Sequence, residues 1–182
     1  MFLECTNYKS NYISLGVQYY TDVLPPRCRL PSKYNLCRYL EKYLRCVQEF
    51  LPFFHPATFS VGHKEPELLL AVAALGALYT YEHPKSYELY FMAKAVLAEK
   101  MRREDLQLAS DVLSGQNHSA PCDLGRMQVF ILLISFASWA DKTVTPDALS
   151  MGSKLATLAR KAGISKSDEI PLNVDWLSWI AI

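Results

Sequence analysis

His55, His63 and Cys46 are the residues of this chain whose types could together hold a metal ion. A structural zinc site wants four thiolate or imidazole ligands at short, paired spacings, and these three match neither a zinc finger nor a closed tetrahedral set. His55 reads instead as a loop residue that bonds backbone groups between Phe54 and Pro56, and Cys46 as a small core or boundary side chain. Hydrolytic and nucleotide chemistry find no signature either. Gly-x-Ser-x-Gly, the phosphate loop, Gly-x-Gly-x-x-Gly and His-Glu-x-x-His are all missing from the sequence. The acidic neighbours Glu104-Asp105 and Asp168-Glu169 fall at expected helix ends or loops, not as facing pairs that would chelate magnesium. Lys100, Arg102 and Arg103 make a basic cluster answered at once by Glu104 and Asp105, read here as a solvated helix end favoured by the macrodipole. The eleven tyrosines could form an aromatic wall for a small organic effector, but their commoner use is core and boundary packing. No catalytic, cofactor-binding or metal-binding residue is assigned, and the chain is not expected to be an enzyme.

The elements that would position these groups are helical. After Ser32, a plausible N-cap, Leu36, Tyr39, Leu40, Tyr43, Leu44, Val47, Phe50 and Leu51 recur at three and four residues, predicting an amphipathic helix ended by Pro52. Pro66 opens a second helix that is apolar almost all round, the pattern of a central element, in which Gly76 and the alanines allow close approach. Pro84 opens a third, with Tyr87, Tyr90, Phe91, Ala93, Ala95, Val96, Leu97 and Met101 for its inner face and a polar loop from Ser110 to Cys122 behind it. Asp123 is positioned to cap a fourth, carrying Met127, Phe130, Ile131, Leu133, Ile134, Ala137 and Trp139, too apolar for the surface. Thr145 and Pro146 read as N-cap and first turn of a fifth, with Ala148, Met151, Leu155, Leu158 and Ala159 inward, Arg160 and Lys161 in its last turn, and Gly163 breaking it. Asp175 begins a final apolar segment that includes Trp176, Trp179, Ile180 and Ile182. No alternating run argues for a sheet, so the fold class is all-α: six or so helices packed as antiparallel pairs.

Composition bounds the partners. Nineteen basic and eighteen acidic residues give a net charge of +1, which argues against duplex binding by these residues alone, since that needs clustered Lys and Arg to displace counterions. Five cysteines without a CxxC pair fit a reduced, intracellular setting better than a disulfide framework. The start, Met1-Phe2-Leu3-Glu4-Cys5, lacks the basic and long apolar regions of a signal peptide, so the sequon Asn117-His118-Ser119 reads as accidental. The apolar runs Leu68 to Tyr79 and Met127 to Ala140 fall short of the roughly 20 residues that span a bilayer, and no membrane association is expected. One domain is expected for 182 residues, with 1–32 a linker or weakly docked lead-in and 33–182 the helical domain.

Several of these pieces, in this order, resemble the fungal-specific transcription factor domain. The loop Phe53-Phe54-His55-Pro56-Ala57-Thr58-Phe59 is similar to its entry motif, and Leu68 to Tyr79 to its central alanine and leucine helix. Gly152 to Ile164 resembles its later helix closing on a glycine, and Trp176 with Trp179 its Trp-x-x-Trp segment. Ala57 stands where many members have proline, and the acidic, arginine-rich continuation after Trp-x-x-Trp is missing, so a domain incomplete at its C-terminus is expected. The resemblance implies a regulatory region in a nuclear protein controlling RNA polymerase II transcription. It also implies that zinc and DNA contact belong to a module outside this chain, because Cys5, Cys28, Cys37 and Cys46 are too far apart for a binuclear cluster. Expected partners are the transcription machinery or regulatory proteins, with a small-molecule effector and a homodimer as further candidates. The alternative is a helical interaction or scaffold domain that has lost DNA binding and acts through exposed apolar surface.

Overall fold

Among the described residues, α-helices gather around a central one that is apolar almost all round. The computed structural model describes residues 16–26, 28–54, 64–113 (side chains to 110) and 124–163. A 3-10 turn, Thr21–Val23, precedes α1 (Lys33–Cys46), α2 (Pro66–Tyr79), α3 (His83–Leu113), α4 (Leu124–Trp139) and α5 (Thr145–Lys161). There is no strand among the described residues, and the fold is all-α. The His-Pro loop, the Asp123 cap and the Trp176 and Trp179 segment lie outside them. No helix among the described residues is long and apolar enough to cross a membrane.

α2 packs against α1, α3 and α4, while α5 packs chiefly on α4. The apolar run predicted for α2 follows from this: Leu68, Leu69, Leu70, Val72, Leu75 and the intervening alanines are all buried, because neighbours close every side. Each such large side chain contributes about 1.5 to 3 kcal/mol on leaving water. Glu65 is the N-cap and Pro66 takes the first turn, as the sequence implied. α2 and α3 are joined only by Thr80, Tyr81 and Glu82, which folds them back as a helical hairpin.

That turn is closed by a Schellman motif: Glu82 N–H bonds Ala77 O at 3.1 Å and Tyr81 N–H bonds Leu78 O at 3.0 Å. The motif requires a left-handed residue, and Tyr81 supplies it at φ 61° where glycine is the usual choice. Its side chain is exposed, so it recovers little burial for that conformation. Tyr81→Gly is expected to raise stability by about 0.5 to 1 kcal/mol, the relief of left-handed strain less the added freedom of the unfolded chain. A denaturant midpoint that stays put or falls would show that the tyrosine ring is holding the turn.

Several expectations are corrected. α1 was expected to run to Pro52 but leaves helical geometry after Cys46, with Val47 N and Gln48 N both bonding Tyr43 O at 2.8 and 3.0 Å. The early exit brings Phe54 into the core, edge-on to Tyr43 at 6.0 Å, and a helix continued to Leu51 would carry the chain past that site. Phe50, expected inward, is exposed. α3 is longer than predicted, so Lys100, Arg102 and Arg103 sit within it and not at its end. Its buried face includes Leu89 and Met92, whereas Phe91 is largely exposed. Trp139, expected inside, is half-exposed at the end of α4, with its ring edge-on to Tyr79 at 6.3 Å. Thr145 is not an N-cap but the first residue of α5, its hydroxyl donating to Asp141 O at 3.2 Å. Ser32 does cap α1, accepting from Asn35 N at 3.3 Å, and Gly163 does end α5 with φ 72°.

Candidate functional site

The polar side chains that could have done chemistry are used to fasten helices to one another. Tyr39, Tyr43 and Tyr90 are fully buried, and each hydroxyl finds a partner inside the protein. Tyr43 donates to Leu51 O at 3.0 Å, closing the exit from α1. Tyr39 donates to Glu82, which also binds Arg38, so one carboxylate in the α2–α3 turn holds two residues of α1. Burial and then that hydrogen bond push the Tyr39 hydroxyl pKa up, keeping it a donor.

A second fastening joins α3 to α5. Tyr90 Oη donates to Asp147 Oδ2 at 3.0 Å, and Lys94 Nζ lies 2.5 Å from the same oxygen. Burial alone would raise the Asp147 pKa, but the hydrogen bonds from Lys94 and Tyr90 outweigh it and hold the carboxyl below its ordinary range. The Tyr90 ring stacks on Phe136 of α4, centroids 4.6 Å apart, so three helices meet at one side chain. Of the residues that α5 itself contributes, only Met151 is buried as deeply as the core.

The basic cluster of α3 is likewise consumed. Lys100 bonds Glu67 at 2.8 Å and Glu65 at 3.1 Å, both at the start of α2. Arg102 and Arg103 bond Glu99 at 2.7 Å, and their hydrogen bonds depress its pKa to about 2. Arg126 of α4 binds Glu104 of α3. Ion pairs thus tie α1 to the α2–α3 turn, α2 to α3, α3 to α4 and α3 to α5. Exposed pairs of this kind are worth about 0 to 1 kcal/mol each, and the half-buried, hydrogen-bonded ones more.

His55 and His63 lie outside the described residues, and Cys46 is a half-buried free thiol. Among the described residues no group of three or more His, Cys, Asp or Glu side chains is arranged to hold a metal. Cys28 and Cys46 are free thiols, whereas Cys37 is disulfide-bonded, against the expectation of reduced cysteines. The spacing of single cysteines carries no signal for such a pair.

The arrangement is that of a helical scaffold whose elements are tied together by buried tyrosine hydroxyls and ion pairs. The family model of the fungal specific transcription factor domain matches residues 40–182, well over half of the chain. The chain belongs to the fungal-specific transcription factor domain family. No curated protein and no solved structure matches it. The family is one of transcription factor regulatory domains and not of enzymes, and the helices described above are its described portion here. Sequence reading found the central helix of this fungal transcription factor domain but missed Glu82 and Asp147 as the residues that tie its neighbours together. Neither stands in a motif, and only their position at the first turn or entrance of a helix marked them.

Proposed function

We propose that this domain is the regulatory part of a nuclear transcription factor acting on RNA polymerase II genes, with zinc and DNA contact supplied by a module of a parent protein outside these residues. The observation that carries the reading is the family match over 40–182. The balanced charge supports it, since a net charge of +1 is far from the strongly basic balance that holding a duplex usually needs. In this role the scaffold meets regulatory proteins or the transcription machinery, in a nuclear setting and without a membrane. A small-molecule effector and a second copy of the chain are further partners to test. No catalysis is assigned to it.

The isolated chain is expected to form no sequence-specific DNA complex at protein concentrations below about 1 μM, the range where non-specific binding begins. A gel-shift titration at low salt against a randomised duplex pool checks this, and nanomolar specific binding would overturn it. Fused to an unrelated DNA-binding module, the chain should alter reporter transcription, and a fusion indistinguishable from the module alone would count against a regulatory role.

A further inference from the structure

Residues 16–24 are held to the helices by a small set of contacts at the start of α2 and the middle of α3. Val17 is their one deep anchor, 2% exposed. Gly16 lies against the start of α2, where a Cβ would come within 2.5 Å of Pro66 Cγ. The Tyr20 ring receives the Arg103 guanidinium at 4.9 Å, and Arg103 donates to the Tyr19 carbonyl at 3.1 Å. Beyond these, no residue of the 3-10 turn Thr21–Val23 is buried.

Next to Pro66, against which Gly16 lies, is Glu67, 4% exposed at the first turn of α2. Its Oε1 accepts from Lys100, but its Oε2 has no hydrogen-bond partner among the described residues. Burial and then the Glu67 charge both raise the Tyr20 hydroxyl pKa. A buried, unpartnered carboxylate oxygen is a penalty that water would remove. The opposing contribution is the burial of Val17, the partial burial of Tyr20 and Leu24 against the core, one hydrogen bond to a guanidinium and one cation–π contact. The ion pairs of Lys100 with Glu65 and Glu67, and of Glu99 with Arg102 and Arg103, are made without any residue of the segment.

We propose that residues 16–24 form a strap that docks and lifts reversibly over Glu67 while the helices stay folded. Lifting hydrates Glu67 and uncovers the seam between the start of α2 and the middle of α3. The lead-in thereby has two positions on an unchanged scaffold, so that events along it alter one face of the domain. This does not rest on the transcriptional reading.

Native-state hydrogen exchange on the full chain tests it. The Tyr20, Val23 and Leu24 amides, bonded to the carbonyls of Val17, Tyr20 and Thr21, report the strap, and those of Leu69 to Leu75 report the helices. The strap amides should be protected, but about 100-fold less than the helix amides and through openings insensitive to low denaturant. Val17→Ala, which leaves every charge in place, should lower strap protection about tenfold, the factor for two buried carbons, and leave α2 unchanged. Glu67→Met removes the unpartnered acceptor and should raise strap protection relative to α2. Strap amides that exchange only with α2, amides with no protection at all, or a Glu67→Met strap no better protected than the native one would each overturn the proposal.

Discussion

Leu70→Asp will leave the chain without a cooperative thermal transition, whereas Leu149→Asp will melt within about 0.5 kcal/mol of the parent, as surface changes usually do. The chemical change is identical and only its surroundings differ: Leu70 is 0% exposed and Leu149 is 79% exposed. At Leu70 the substitution forfeits about 1.5 to 3 kcal/mol of apolar burial. It also places a carboxyl where α1, α3 and α4 close around α2 and no cation stands ready, a penalty of several kcal/mol for the ion. Protonation does not rescue it, because a neutral acid there still lacks partners. Against a total stability of about 5 to 15 kcal/mol, the sum removes most or all of the folded population. Circular dichroism melts of the two variants check this, and a Leu70→Asp protein that melts like its parent would show that α2 is not the centre of the fold.

What was legible in the sequence was whatever depends on local pattern. The uniform apolarity of α2 announced its central place, Ser32 announced the start of α1, and Gly163 the end of α5, because caps and periodicity are written within a few neighbouring residues. The exit from α1 was not legible, because it is decided by Phe54 reaching the core several residues later. Trp139 was misplaced for a related reason. Its hydrophobicity says inside, but its position at the end of α4 leaves one edge on Tyr79 and the rest in solvent.

The polar fastenings were the least legible, since they join residues far apart in the chain. Glu82 meets Arg38 and Tyr39, and Asp147 meets Tyr90 and Lys94, across separations no spacing rule covers. The same applies to residues 16–24, where a single valine docks without any period. Family resemblance supplied the functional class, which no motif in the residues announced.

Gly76→Ala will lower stability by at least about 3 kcal/mol, the upper part of the range for overpacked cores. A Cβ on Gly76 would stand 1.9 Å from the Tyr39 carbonyl oxygen and 2.6 Å from its carbon. The obstacle is backbone, so no rotamer change can clear it. Tyr39 cannot yield by itself either, since its ring is buried and its hydroxyl is bound to Glu82. α1 as a whole would have to withdraw from α2, loosening Leu40 and Tyr43 along with it. The better helix propensity of alanine returns only about 1 kcal/mol. Gly152→Ala in α5 isolates that propensity, for its Cβ would meet nothing within 4 Å, and it should stabilise by about 0.5 to 1 kcal/mol. Denaturant midpoints that shift in opposite directions for the two glycines establish that α1 and α2 touch through their backbones. Shifts of the same sign would mean that the helices stand further apart than this packing requires.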